Sequence, residues 1–363
     1  MPHGDLPALD FDRSVAAIVP ALLGLHDADW LPEPVRGRHA TVLLVIDGLG
    51  WQAFADAPEA LPTLSSFAGG PIDTVLPATT ATALTSITTG TTPGTHGIFG
   101  YRMRVDEHVL NNLRWQCEPR SAPAPDPEWV QRQRPFRGHN VPVVAKAEHA
   151  ESGFSRAHLR DVPFVGWQEP DDIVTACRSL ILDGHRLVYA YYPGVDEVAH
   201  EFGLLGAQYR DELAAADSLV ARLRAALPDS CALLVTADHG QVHLESESWI
   251  VHEPALANLV AMQAGDARCR FLYARAGAAG ELAAACREAY GAVAWVCTRR
   301  DLLDAATFGP VATGSIAGRL GDVVLLPRTA FGFVDPALPR ERSLRSAHGS
   351  ATPAELRVPL LGA

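Results

Sequence analysis

The sequence lacks the features that mark disulfide-rich, secreted and membrane-spanning proteins. Its six cysteines lie far apart and include no CxxC pair, and a chain of this length needs no disulfides, so we expect buried reduced thiols. No apolar run reaches the roughly 18 residues of a membrane-spanning helix. The start, MPHGDLPALDFDRS, has no basic stretch followed by an apolar one and predicts no signal peptide. We expect a cytoplasmic protein without a membrane partner.

Positive charge is also scarce. The chain carries 30 Lys and Arg against 42 Asp and Glu, a formal net charge of −12. Because binding a nucleic-acid polymer needs many Lys and Arg contacts to phosphate, we expect no such partner. A small phosphate ester held by metal ions stays compatible with an acidic chain. The length of 363 residues and the hydrophobic fraction of 48% suit one large α/β core with an insertion.

Apolar runs alternate with helical patterns along much of the chain. The runs TVLLVI (41–46), RLVYAYY (186–192) and CALLVT (231–236) are continuously apolar, as parallel strands covered on both faces are. Residues 206–226 between the last two runs have helical spacing. This alternation predicts an α/β fold with a mostly parallel central sheet and helices on both faces.

Two further stretches fall outside this pattern. Residues 270–304 contain a strand–helix–strand pattern that predicts a small inserted α/β subdomain, and GDVVLL (321–326) is expected to resume the main sheet. We therefore predict a core of residues 1–245 and 321–363 with a cap-like insertion at 246–320. The proline-rich residues 117–140 predict a surface loop, either a plain connector or the edge of a lid.

Each of the three strong strand candidates is followed by an aspartate. Asp47 follows the first, Asp196 the second and Asp238 the third. Ligands of open α/β sheets bind beyond the carboxyl ends of the strands, so these carboxylates should converge. Carboxylates crowded together repel each other unless cations neutralise them.

Histidines occur in the same segments. His200 lies four residues after Asp196 in DEVAH, which places both on one face of a helix, and His239 follows Asp238 directly. His348 lies near the C-terminus. Singly these motifs are more typical of solvated helix faces and turns, but together they indicate a metal site. Mixed Asp and His ligands suit Zn²⁺, with Mn²⁺ as second choice.

The segment PATTATALTSITTG (77–90) supplies a candidate nucleophile. TATALTSITTG is apolar enough to be a buried helix, which places Thr79 and Thr80 at its N-terminus. Free N–H groups and the helix dipole favour an anion there, and a hydroxyl close to a metal can attack phosphorus. Either threonine is equally compatible with a simple N-cap.

Together these motifs resemble the nucleotide pyrophosphatase/phosphodiesterase family of the alkaline-phosphatase superfamily. The resemblance rests on VIDGLG, on TTATALTSITTG followed by PGTHGI, on DEVAH, on DHG and on the C-terminal HG. Counting back from the T-G that ends the helix identifies Thr80 as the nucleophile. The resemblance implies a two-metal hydrolase that acts through a covalent phosphothreonine. It also implies two ligand sets, which are Asp196, His200 and His348 for one metal and Asp47, Asp238 and His239 for the other.

The sequence departs from the family at Ala83, where diesterases carry an Asn that donates to a phosphate oxygen. We expect Thr82, Tyr101 or Arg102 to supply that contact. Residues 74–98 contain no Arg or Lys, which favours phosphodiester or pyrophosphate-type bonds over dianionic monoesters. The alternatives are a phosphomonoesterase or phosphonate hydrolase of the same superfamily, or a non-catalytic metal-binding relative. A sulfatase and a phosphoglycerate mutase fit less well, because Thr80 stands where they need other residues.

Overall fold

The computed structural model describes residues 6–311 and 313–363. The prediction about the first fourteen residues therefore lies partly outside the described residues. Within this part of the chain a seven-stranded sheet forms the centre of the molecule. Its strands, labelled in chain order and given in order across the sheet, are β2 (Ala68–Asp73), β18 (Arg357–Gly362), β9 (Cys231–Thr236), β1 (Ala40–Ile46), β8 (Leu187–Tyr192), β6 (Val143–Lys146) and β7 (Phe164–Trp167).

The pairing of this sheet explains the continuous apolar runs. Strands β9, β1, β8, β6 and β7 are parallel, whereas β18 is antiparallel to both β2 and β9. Every residue of β1, β8 and β9 is buried, as expected for central strands covered on both faces. The mostly parallel α/β fold predicted from these runs is confirmed.

The helices form two packed groups around the sheet. One group contains α1 (Val15–Leu22), α4 (Thr80–Thr89) and α7 (Gly153–His158), and the other contains α3 (Pro62–Ser66), α8 (Pro170–Leu182), α9 (Gly194–Phe202) and α10 (Ala207–Ala226). The bounds of all helices among the described residues are α1 (Val15–Leu22), α2 (Ala53–Asp56), α3 (Pro62–Ser66), α4 (Thr80–Thr89), α5 (Pro93–His96), α6 (Pro127–Val130), α7 (Gly153–His158), α8 (Pro170–Leu182), α9 (Gly194–Phe202), α10 (Ala207–Ala226), α11 (Pro254–Ala257), α12 (Ala279–Tyr290), α13 (Arg299–Asp304), α14 (Gly314–Ala317) and α15 (Pro353–Leu356).

Smaller sheets lie outside the central one. They are the four-stranded sheet β12 (Val260–Asp266), β13 (Cys269–Ala274), β15 (Val323–Pro327) and β14 (Ala294–Thr298), the three-stranded sheet β3 (Arg102–Val105), β4 (His108–Asn111) and β5 (Gln116–Glu118), and the two-stranded pairs β10 (Val242–His243) with β17 (Ser346–Ala347) and β11 (Trp249–Ile250) with β16 (Gly332–Phe333). Short 3₁₀ helices span Phe11–Arg13, Glu33–Val35, Pro58–Ala60, Pro135–Gly138, Ala147–His149 and Pro339–Ser343.

One strand assignment from the sequence is wrong. We expected GDVVLL (321–326) to resume the main sheet, but β15 pairs antiparallel with β13 and β14 in the four-stranded sheet. The main sheet is resumed instead by β18, some thirty residues later. Apolar character shows that a strand is buried and does not show which strands it pairs with. The division into core and insertion stays a prediction.

Two expectations based on composition can be compared with the structure. All six cysteines are free thiols, and five of them are buried, with Cys297 partly exposed. No helix in the described part of the chain combines the length and the apolar character needed to cross a bilayer. Cytoplasmic location stays a prediction.

Candidate active site

The register of the central strands brings the three aspartates to one edge of the sheet. Within β1, Ile46 is paired with Tyr192 of β8, and Val45 is paired with Thr236 of β9, so the three strands end at the same level. Asp47 follows β1 directly, Asp238 follows β9 after one residue, and Asp196 lies in the first turn of α9 beyond β8. The site is thus built at the carboxyl edge, where ligands of such sheets bind.

Asp47, Asp238 and His239 form a compact group whose ligand atoms lie within 4.8 Å of one another. The Nε2 atom of His239 is 3.4 Å from Asp47 Oδ1 and 3.4 Å from Asp238 Oδ2. The other oxygen of each carboxylate is already used. Asp238 Oδ1 accepts the N–H groups of Gly48 and His239, each at 3.0 Å, and Asp47 Oδ2 accepts the Tyr191 hydroxyl.

A second group adjoins the first and consists of Asp196, His239 and His348, again within 4.8 Å. The His239 and His348 rings are stacked, with centroids 3.6 Å apart. His200 lies beside this group, and its Nε2 atom is 3.3 Å from Asp196 Oδ2. The structure therefore brings all six predicted ligands together. Its compact groups both contain His239, whereas the resemblance paired Asp196 and His348 with His200.

Three histidines are oriented in the same way. In each, Nδ1 lies within hydrogen-bond distance of a backbone carbonyl, namely Ser346 for His200 (2.9 Å), Gly240 for His239 (3.1 Å) and Ala78 for His348 (3.0 Å). A carbonyl oxygen only accepts, so Nδ1 carries the proton and Nε2 presents its lone pair. A backbone bond of this kind fixes the ring of a metal-binding histidine.

The electrostatics of the group favour a cation. Burial, followed by the charges of Asp238 and Asp196, raises the pKa of Asp47 well above its usual value. Burial likewise raises the pKa of Asp196 and of Asp238 and lowers the pKa of His239 and of His348. Asp47 Oδ1, Asp196 Oδ1 and Asp238 Oδ2 are buried oxygens without a hydrogen-bond partner among the described residues. Buried polar atoms normally have a partner, and divalent cations would satisfy these three. The residues present therefore fit metal ions.

Thr80 is the first residue of α4 and lies next to the metal-ligand candidates. Its Oγ1 atom is 3.1 Å from His239 Nε2. The neighbouring hydroxyl of Thr79 is directed elsewhere, because it donates to Thr82 Oγ1 at 3.2 Å. Thr82 Oγ1 in turn accepts the N–H of Gly100 at 2.7 Å. The helix thus directs Thr80, and not Thr79, at the cluster.

The predicted substrate contacts are only partly at the cavity. Tyr101 lines it. Thr82 is fully buried, and Arg102 is 1% exposed because its guanidinium pairs with Glu118 and Asp335. The structure does not bring these two side chains to the cavity. The Thr82 hydroxyl is bonded to Thr79 and Gly100, and two nitrogens of Arg102 are paired with carboxylates. Ala83 is fully buried in the core.

A cavity of about 610 Å³ opens over the cluster. Thr80, Asp196, His200 and His348 form part of its wall. The wall also contains charged residues that were not predicted from the sequence, namely Arg114, Arg120, Asp266, Arg340 and Glu341. No motif marks any of them, although Arg120 lies in the proline-rich segment 117–140 that was interpreted as a connector or lid edge.

Comparisons with known proteins agree with this architecture. The family model described as type I phosphodiesterase / nucleotide pyrophosphatase matches residues 41–351. No sequence among the curated proteins matches the chain at a significant level.

Several solved structures share the fold. Murine ectonucleotide pyrophosphatase / phosphodiesterase 5, solved as an inactive Thr-to-Ala variant in complex with AMP, has a TM-score of 0.67 at 14% identity over 89% of this chain and 87% of that chain. The human protein of the same name has a TM-score of 0.65 at 15% identity over 89% and 87%. Phosphonoacetate hydrolase from Sinorhizobium meliloti 1021, in complex with phosphonoformate, has a TM-score of 0.61 at 18% identity over 92% and 90%. These likenesses confirm the alkaline-phosphatase-like fold.

Proposed function

We propose, from the premise that this chain belongs to the type I phosphodiesterase / nucleotide pyrophosphatase family, that it cleaves phosphodiester or pyrophosphate-type bonds with Thr80 as nucleophile. Family membership makes the chain a phosphoester hydrolase; the bond type, the metals and the covalent step are our proposal. The observation that carries it is a set of three buried carboxylate oxygens that have no hydrogen-bond partner within residues 6–311 and 313–363. They lie in the two groups that share His239, whose Nε2 atom is 3.1 Å from Thr80 Oγ1.

Two divalent ions, Zn²⁺ first and Mn²⁺ second, suit the donor set of carboxylate oxygens and imidazole nitrogens. Asp47, Asp238 and His239 would hold one ion. Asp196, His200 and His348 would hold the other, with His239 stacked between the two groups. When bound, the ions supply positive charge that lowers the pKa of a nearby hydroxyl and offsets charge on the phosphate oxygens.

The chain's own residues position the reacting groups. Thr80 lies at the N-terminus of α4, where the first N–H groups of a helix have no partner within the helix and favour a phosphate. In the proposed reaction, Thr80 Oγ1 loses its proton to solvent and bonds to phosphorus as the bond to the leaving oxygen breaks. The leaving oxygen takes up a proton from solvent. Water then cleaves the phosphothreonine and restores Thr80.

Small phosphorus compounds are the proposed substrates. The murine neighbour binds AMP and the bacterial neighbour binds phosphonoformate, and the cavity volume lies in the range of nucleotide-sized ligands. Phosphonate or phosphomonoester hydrolysis is the second candidate. The similarity in fold to phosphonoacetate hydrolase favours this alternative.

The proposal is tested with purified protein loaded with Zn²⁺. We expect two ions per chain by elemental analysis and turnover of bis(p-nitrophenyl) phosphate. We also expect a phosphorylated Thr80 peptide by mass spectrometry after rapid acid quenching. Turnover of p-nitrophenyl phosphate alone would favour the monoesterase alternative. Bound metal with no turnover of any phosphorus ester would leave the non-catalytic relative as the better description.

A further inference from the structure

The cavity wall carries three arginines whose charge is not matched by the protein. Arg114, Arg120 and Arg340 line the cavity, and all three are exposed. Within residues 6–311 and 313–363 their guanidinium groups form neither an ion pair nor a hydrogen bond. Two other arginines of this region behave differently, because Arg102 and Arg270 are buried and paired with carboxylates.

The acidic residues of the same wall are already in use. Glu341 accepts from Arg270 Nη2 at 2.7 Å. Asp266 accepts the backbone N–H of Tyr101 at 3.0 Å and 3.2 Å through its two oxygens. Asp196 belongs to the proposed metal site. Apart from the metal ligands, the cavity wall therefore offers a net positive charge to a ligand.

The three arginines come from two separate segments that meet at the cavity. Arg114 lies between strands β4 and β5, and Arg120 lies just after β5. Arg340 lies in the 3₁₀ helix Pro339–Ser343. A guanidinium presents its donors as a planar fork that matches a carboxylate or a phosphate.

We infer that Arg114, Arg120 and Arg340 form an anion subsite that binds a second phosphate or carboxylate of the substrate, beyond the scissile phosphorus. This inference rests on the proposed function and specifies its substrate class as phosphorus compounds with an additional anionic group. It also revises the charge argument from the sequence. Residues 74–98 contain no Arg or Lys, but the fold brings three arginines to the cavity from elsewhere in the chain.

The test uses three esters with the same leaving group. Methyl p-nitrophenyl phosphate has no second anion, carboxymethyl p-nitrophenyl phosphate has a carboxylate, and phosphonomethyl p-nitrophenyl phosphate has a phosphonate. For Zn²⁺-loaded protein we expect kcat/KM about tenfold or more higher for at least one of the two anionic esters than for the methyl ester. The two anionic esters distinguish a carboxylate from a phosphate-like group.

The variant Arg114→Gln/Arg120→Gln/Arg340→Gln should bring this ratio of kcat/KM values close to one. Arg342→Gln is the matched control, because Arg342 is exposed in the same 3₁₀ helix as Arg340 but does not line the cavity. It should keep the wild-type ratio. The three single variants provide the same comparison if the triple variant folds poorly.

A binding measurement separates this inference from the proposed function. Calorimetry on Zn²⁺-loaded protein should show methylenebisphosphonate binding about tenfold or more tightly than methylphosphonate, and the triple variant should lose the difference. If no ester is cleaved but this difference is found, the proposed function fails and the subsite stands. Equal kcat/KM values for all three esters, or a ratio unchanged in the triple variant, would overturn the subsite and leave the hydrolase intact.

Discussion

The two halves of the cavity wall are built by different means. On the metal side, the three aspartates follow neighbouring parallel strands, and the strand register brings them to one edge of the sheet. On the arginine side, segments far apart in the chain are joined by buried ion pairs. Arg102 pairs with Asp335 across 233 positions, and Arg268 pairs with Glu355 across 87. The aspartates of the metal side are positioned by neighbouring strands, whereas the arginine side depends on contacts between segments that are far apart in the chain.

The largest effect is expected on the metal side. Thr80→Ala should lower kcat/KM roughly 10³- to 10⁶-fold, because the proposed nucleophile is lost. Thr79→Ala is the matched control. It removes only the bond to Thr82, so a loss below about tenfold is expected. Steady-state kinetics with metal analysis of both variants is the measurement, and equal losses would remove the distinction between the two threonines.

Removing the metal ions should change how the stability of the folded protein depends on pH, which tests the metal side of the wall. Without ions, burial raises the pKa values of Asp47, Asp196 and Asp238 in the folded state, and the charge of Asp196 adds to the rise for Asp47 and Asp238. A raised carboxyl pKa means that the folded chain binds protons more tightly than the unfolded chain, so stability falls as pH rises. Thermal unfolding after chelation should therefore show a melting temperature that falls as pH rises above the ordinary Asp pKa of about 4, more steeply than for the Zn²⁺-loaded protein. Parallel curves would argue against these carboxylates as ligands.

The same contrast explains what the sequence could and could not predict. Strands β1, β8 and β9 are fully buried, so their continuous apolar runs predict them from the sequence. The convergence of the aspartates that follow them is then expected, because parallel strands end at one edge of the sheet. The sheet to which β15 belongs could not be predicted, because an apolar run does not show which strands pair with it. No residue of strand β2 is buried, so no such apolar run marks this strand in the sequence.

The arginine wall was not predictable for a related reason. In the sequence, Arg102 and Arg114 are both charged residues in a polar segment. Only the tertiary structure shows that Arg102 forms ion pairs with Glu118 and Asp335, whereas Arg114 lines the cavity. An arginine's partner is set by tertiary packing and leaves no local periodicity.

Breaking the buried ion pairs should test the other half of the comparison. Arg102→Met breaks the buried pair with Asp335, which keeps Arg270 Nη1 at 3.4 Å, and the half-buried pair with Glu118. Because Asp335 keeps one partner, we expect a loss of about 3 kcal/mol in the free energy of unfolding, at the low end for breaking a buried pair. Arg104→Met is the control on the same strand, since Arg104 packs over the Tyr273 ring and should lose only about 1 kcal/mol. Denaturant unfolding of the Zn²⁺-loaded proteins measures both. Similar losses would mean that the buried network does not hold this wall.

Asp266 should affect the pH dependence of stability and not the activity. It lines the cavity, and burial raises its pKa from 3.8 to about 7. The folded protein therefore binds this proton more tightly than the unfolded chain, and the stability it contributes below about pH 4 is lost as pH rises to about 7. Asp266→Asn keeps an oxygen that can accept the Tyr101 N–H but cannot ionise. At about pH 8 the variant should be more stable than the wild type by up to about 4 kcal/mol, and near pH 4 the two should be nearly equal. Denaturant unfolding of the variant and the wild type at both pH values measures this difference. A variant that is destabilised equally at both would mean that the second carboxylate oxygen matters more to the Tyr101 bond than the buried charge does to the cavity wall.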